Sequence, residues 1–409
     1  MVDSLSPDAA KVAALREALP ATGAGMYLDT ATRGPLPAET AAAMREADDW
    51  ELRVGRVTAG RSEDAEQRAD EARAVLAALV TGQPDEMAVL PGLGLALSVA
   101  AWAPDWRPGD RALTTSHEGP AVRAALAAVG RRLGVQVDVA DIPDDADAQV
   151  AQELLASALT ARTKLLMISA VSPMTGLRMP LVEIGELARQ RGAWLAVDGS
   201  QAVAAMAVAA PELGIDFLAF PGDAWALGPE GTAGLWAGPR AAAEGRVAFS
   251  RPAALEAAGA RRFEVADLPR TSLVGLARSV SWLAMYVGLE WALDRANGLA
   301  GMVHEALTNV AGVEVLTPRL GRAAIVAFRV AGWSAEEVAD ELGRRVFAIL
   351  STLPALDAVR ASICWFNTQE ELERLVEAVT LLAAHTPATL PRRPSLVVMP
   401  AGFTPDADA

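Results

Sequence analysis

Short apolar runs alternate along the chain with longer stretches in which apolar positions recur at helical spacing. Segments 87–90, 111–115, 135–139, 165–169, 194–197 and 215–220 predict strands, and continuous runs such as Trp-Leu-Ala-Val at 194–197 are those of a parallel sheet covered on both faces. Helices are predicted over 7–19 (capped by Ser6), 38–54, 67–80, from about 95, over 146–161, from 181 and over 272–295. Within 67–80, Ala72, Val75, Leu76 and Leu79 share one face and Gly82 stands just past the end. Leu276, Val280, Leu283 and Val287 form the equivalent stripe in 272–295. Further strands at 313–316 and 323–330 precede two capping boxes, Ser334 to Glu337 and Thr368 to Glu371. The alternation predicts an α/β fold, in which ligands sit beyond the carboxyl ends of the strands. Two such ends fall close together, at Asp198 and at Pro221-Gly222-Asp223-Ala224.

Charge and composition narrow the partners. With 36 basic and 51 acidic residues in 409, the net charge is -15, which argues against nucleic acid or an anionic membrane. The length suffices for one large domain and a smaller one. Cys364 stands alone, so no intrachain disulfide or cysteine metal site forms. No charged-then-apolar leader precedes Tyr27 and no uninterrupted apolar run reaches spanning length, so a cytoplasmic protein is expected.

Several motifs together resemble the class V aminotransferase family of pyridoxal-phosphate enzymes, which includes cysteine desulfurases and ergothioneine-forming lyases. They are Tyr27-Leu28-Asp29 followed by Gly34-Pro35, the run from Val197 to Gln201, Trp225 to Gly231, Thr175-Gly176, and Arg360 to Ser362 with Asn367. The resemblance spans about 27–382. It implies an aminotransferase-like large domain with a mostly parallel seven-stranded sheet flanked by helices, and a smaller α+β C-terminal domain. The expected boundaries are an N-terminal arm at 1–30, the large domain at 31–260, the small domain at 261–385 and a loosely attached tail at 386–409. By resemblance, Asp198 pairs with the cofactor's ring nitrogen, Gln201 contacts its phenolic oxygen, and Arg360 holds a substrate carboxylate, with Thr30 and Arg270 as further substrate contacts. A homodimer is implied, with residues 267–271 reaching the partner's pocket.

Other family positions depart from the pattern. The Schiff-base lysine and its neighbouring Ser and His fall on Ala224, Pro221 and Asp223, and Lys11 and Lys164 are the only lysines. The phosphate-gripping hydroxyl after Gly92 is missing, a phosphate-binding Thr falls on Asp267, and the ring-stacking aromatic between Glu118 and Gly119 is absent, with His117 beside the gap. A carboxylate beside a phosphate dianion is repelled. These departures lead to the expectation of no cofactor and of a pocket working by acid–base chemistry, with Asp198, Asp223, His117 and Glu118 as catalytic candidates and a carboxylate-bearing or amino-acid-derived small molecule as substrate. Two alternatives stay open: a noncatalytic binding or partner protein on an enzyme fold, and an enzyme holding pyridoxal phosphate noncovalently.

Overall fold

The computed structural model describes residues 7–57, 59–254 and 256–391. The expected Ser6 cap and the tail at 392–409 lie outside the described residues. In chain order the strands are β1 (Met26–Tyr27), β2 (Met87–Leu90), β3 (Arg111–Thr115), β4 (Gln136–Ala140), β5 (Thr163–Ser169), β6 (Trp194–Asp198), β7 (Phe217–Pro221), β8 (Ala233–Ala237), β9 (Val313–Val315), β10 (Ile325–Val330), β11 (Ala348–Ile349), β12 (Ser351–Leu353) and β13 (Ala358–Ser362). The α-helices are α1 (Pro7–Glu17), α2 (Ala38–Val54), α3 (Arg61–Leu79), α4 (Leu93–Trp102), α5 (Pro120–Leu133), α6 (Ala148–Ala158), α7 (Leu181–Gln190), α8 (Pro239–Glu244), α9 (Arg270–Ser281), α10 (Leu289–Thr308), α11 (Ala335–Val346) and α12 (Gln369–Ala383).

The large sheet has seven strands in the order β2-β8-β7-β6-β5-β3-β4. Its strands from β7 to β4 run parallel, and β8 is antiparallel to both neighbours. Burial on both faces explains the unbroken apolar runs. On β6, Trp194 and Ala196 enter one core with α4 and α5, while Leu195 and Val197 enter the other with α3, α6 and α7. From β3 the chain moves outward to β4, then returns to β5 on the opposite side of β3. That reversal opens a crevice between the carboxyl ends of β3 and β5.

A second sheet, β12-β13-β10-β9, is antiparallel throughout. It meets the large sheet at the loop after β5. There Gly176 has φ 77, and a Cβ would stand 3.2 Å from that of Ile325, so only glycine suits both the turn and the close approach. Ala323 N–H bonds Gly176 O and Arg178 N–H bonds Gly321 O across this seam.

Some elements differ from expectation for identifiable reasons. Helix α3 begins at Arg61 rather than 67, because its first turns carry charged side chains held by partners distant in sequence, such as Asp64 on Arg270 and Glu66 on Arg251. The single helix expected over 272–295 is α9, a π-helical segment (Trp282–Gly288) and α10, with Gly288 at φ 86. The helical stretch Arg270–Thr308 is long and apolar enough to cross a bilayer by length and composition, although Arg278 and Glu290 interrupt its apolar run. Nevertheless 44% of its most apolar window is buried within the molecule, and α9 packs on α2 and α3, as a core helix does. Both capping boxes form as read, with Ser334 bonded from Glu337 N and Thr368 from Glu371 N.

Candidate active site

Asp198 ends β6 and is 3% exposed. Its carboxylate accepts from Ser200 N at 2.8 Å. Burial pushes its pKa above the usual carboxylate range, against the Ser200 bonds. Ser169, its register neighbour on β5, belongs to the next carboxyl group along the sheet. Glu118, 1% exposed, lies across the β3–β5 crevice: Ser169 N (2.9 Å) and Ser169 Oγ (2.6 Å) donate to one oxygen, and Thr115 Oγ1 (2.6 Å) to the other. Burial outweighs these three donors and raises Glu118 to about 7, with the charge on Asp198 adding to the rise.

His117 stands beside Glu118, its Nδ1 3.3 Å from Ser172 Oγ and its Nε2 3.8 Å from Asp144. Burial lowers its pKa and favours the neutral ring. Asp223 follows β7, where burial raises its pKa, and Arg33 Nε lies 3.9 Å away. Gln201 is committed within the chain: Nε2 donates to Ala31 O (3.1 Å) and Oε1 accepts from Trp225 Nε1 (3.4 Å).

Arg360 projects from β13 and is itself buried. Its Nη1 donates to Pro173 O (3.1 Å), and its Nη2 to Thr32 Oγ1 (2.9 Å) and Ser351 Oγ (3.2 Å), with Asp29 at 3.5 Å. Burial lowers its pKa, against the pull of Asp29, and Nε is buried without a hydrogen-bond partner. Thr30 Oγ1 is likewise buried and unpartnered. Arg270 does not join this group within the chain: on α9 it pairs with Asp64 (2.7 Å) and stacks over Trp50. Asp267 is exposed and pairs with Arg251 at 3.0 Å, so its charge is partly countered rather than bare.

Two features bear on a cofactor. The first turn of α4, after β2, leaves its N–H groups without helical partners, and a Cβ on Gly92 or Gly94 would meet no atom within 4 Å. Opposite in effect, no lysine stands at these strand ends. Ala224 is 1% exposed, Lys11 lies over the Trp291 ring at 3.7 Å, and Lys164 near the start of β5 is about 17 Å of extended strand from Ser169. The residues therefore fit the ring nitrogen and phosphate of pyridoxal phosphate but offer it no lysine amine.

The aminotransferase class-V family model matches residues 26–375, and the chain belongs to that family. Among its relatives, a probable cysteine desulfurase of Xylella fastidiosa is 29% identical over 338 residues, covering 77% of this chain and 80% of its own. Another from Methanothermobacter thermautotrophicus is 24% identical over 401 residues, covering 90% and 97%. The fold matches that of the cystine C-S lyase C-DES bound to its product cysteine persulfide, with a TM-score of 0.82, 22% identity and coverage of 88% and 99%. It also matches a lysine-to-alanine mutant of C-DES with glycine covalently linked to its PLP cofactor, with a TM-score of 0.83, 22% identity and coverage of 89% and 98%. These relatives overturn the expectation of no cofactor, since they point to pyridoxal phosphate rather than to a cofactor-free pocket. That expectation counted lost side chains, and gave too little weight to Asp198 and to backbone donors that need no particular side chain.

The sequence names Asp198, Glu118, His117 and Arg360 as candidates, and the structure buries all four. Sequence reading missed Ser169 and Thr115, the hydroxyls at strand ends that hold Glu118, and Ser351, which joins Arg360 from a neighbouring strand. A hydroxyl closing an apolar run was the available signal for the first two.

Proposed function

We propose that this chain is a cytoplasmic enzyme of small-molecule metabolism that holds pyridoxal phosphate noncovalently and acts on an amino-acid-derived substrate bearing a carboxylate. The observation that carries the reading is Asp198, a buried carboxylate with only Ser200 as donor. A protonated pyridine nitrogen is the cationic donor such a group lacks. The open first turn of α4 supports a phosphate site, and the solved lysine-to-alanine mutant of C-DES, whose cofactor is linked to glycine, supports retention without a lysine bond.

When bound, the cofactor supplies an aldehyde for a substrate amine and an electron sink for the carbon beside it. Burial raises both Glu118 and Asp198 above the usual carboxylate range, and a cationic donor beside Asp198 favours its ionised form. Arg360 orients the substrate carboxylate through Nε–H, its one nitrogen without a partner, while Thr32 and Ser351 fix the other edge of the guanidinium. His117, kept neutral by burial, bounds the same strand ends.

Calorimetric titration with pyridoxal phosphate should give saturable binding. Asp198→Ala should weaken it by roughly tenfold or more, the scale of a charged hydrogen bond. Unfolding the complex in urea should then free all the cofactor from the chain. Absence of saturable binding, or equal affinity in Asp198→Ala, sinks the reading. We also propose a homodimer, supported by the open groove of about 610 Å³ between α2, α3 and α9 and by Leu52, 82% exposed on α2. Sedimentation at micromolar concentration should give twice the chain mass, and a monomer counts against it.

A further inference from the structure

We propose that Asp144 is a positioning residue that faces the His117 ring at the end of β3 and links it electrostatically, through Arg329, to the small sheet. Asp144 lies in the loop between β4 and α6. Its Oδ1 faces His117 Nε2 at 3.8 Å, and its Oδ2 meets Arg329 Nη2 at 3.2 Å. The two contacts use different oxygens, so neither displaces the other.

Arg329 is rooted in the small sheet. It projects from β10, donates from Nε to Leu356 O at 2.6 Å and pairs through Nη1 with Glu314 at 3.2 Å. His117 is rooted in the large sheet, where its backbone N–H donates to Thr115 Oγ1 at 3.3 Å. Its Nδ1 lies against Ser172 Oγ, which also accepts from Met174 N and Thr175 N in the loop meeting β10. Ser172 thus lies within hydrogen-bond distance of Nδ1, while Asp144 faces Nε2 at a distance longer than a hydrogen bond. One carboxylate stands between a side chain of each sheet.

The charged groups around His117 set what its titration reports. Asp144 and Asp141 face it from the β4–α6 loop, and Arg329 lies behind Asp144. Glu118, next in the chain, turns its carboxyl group toward Ser169 instead. Burial favours the neutral ring, and Asp144 is the largest opposing influence. Removing the Asp144 charge should therefore move the titration to lower pH. Removing the Arg329 charge should move it to higher pH, because the carboxylate then acts on the ring without a competing cation.

Histidine-selective NMR tests this in the whole protein, which has only three histidines, His117, His304 and His385. His117→Gln identifies the signal. Asp144→Asn is expected to lower its midpoint by about half a pH unit or more, Arg329→Gln to raise it by a similar amount, and the double variant to follow Asp144→Asn. Asp144 and Arg329 side chains are 40% and 31% exposed, so both single variants should stay folded. An unmoved midpoint in Asp144→Asn, or shifts of one sign in both, overturns the proposal. A second arm rests on the proposed cofactor site: Arg329→Gln should weaken pyridoxal-phosphate binding several-fold, although Arg329 is no part of the strand ends. Unchanged affinity overturns the tie to the small sheet. If the wild type takes up no cofactor, the proposed function fails, and the NMR arm alone decides the role of Asp144.

Discussion

Glu264→Ala is expected to destabilise the protein by about 3–5 kcal/mol, the scale of a broken buried ion pair. Glu264 is 3% exposed and accepts five hydrogen bonds: two from Arg73 (2.8 and 2.9 Å), two from Arg251 (3.1 and 2.9 Å), and one from Val89 N at 3.2 Å. Arg73 is 1% exposed and Arg251 8%, so removing the carboxylate strands two guanidinium groups in the interior. Glu66 and Asp70 both pair with Nη1 of Arg73 and soften the loss without replacing the contacts of Nε and Nη2. The cluster joins α3, β2 and the segment after α8, and so fixes the edge of the large sheet that carries the first turn of α4. Glu264→Gln keeps the shape, loses the charge and should cost less. Urea unfolding of both variants checks the order, and a loss below about 1 kcal/mol for the alanine would place the cluster with weak surface pairs.

Glu118→Gln should act in the opposite direction and only at high pH. The folded-state pKa, raised to about 7 from 4.5, means that folding disfavours the ionised form. The stability associated with this group is fully present below the unfolded value and is lost as pH rises through the folded one. The loss amounts to about 3 kcal/mol above pH 8, from 1.36 kcal/mol per unit. A neutral amide removes that loss, so Glu118→Gln should exceed the wild type by up to about 2–3 kcal/mol at pH 8 and match it near pH 4.5. Unfolding free energies at both pH values check this. A variant less stable than wild type at pH 8 would mean that the three donors on Glu118 favour the carboxylate more than burial opposes it.

The sequence disclosed what neighbours in the chain decide. The apolar run ending at Asp198, the box from Ser334 to Glu337 and that from Thr368 to Glu371 need only local chemistry, and each formed as read. Contacts between distant segments stayed hidden. The charged opening of α3 looked like loop until Arg251 and Arg270 arrived from nearly two hundred positions away. Strand β8, with two small residues at Ala233-Gly234, gives a weak apolar signal and is ordered by its partners β2 and β7. At the site, Glu118, Arg360 and His117 were legible as types, but Ser169, Ser351 and Asp144 respectively reach them only through the fold.

The lone thiol gives the folded chain an internal clock. Cys364 follows β13, is 2% exposed, and burial pushes its pKa up to about 12. A thiol-directed reagent needs both access and a thiolate, and the native molecule supplies neither. Each label that accumulates therefore counts a molecule in which the segment between β13 and α12 has opened. When reclosing outpaces the reagent, the labelling rate gives the free energy of that opening without denaturant.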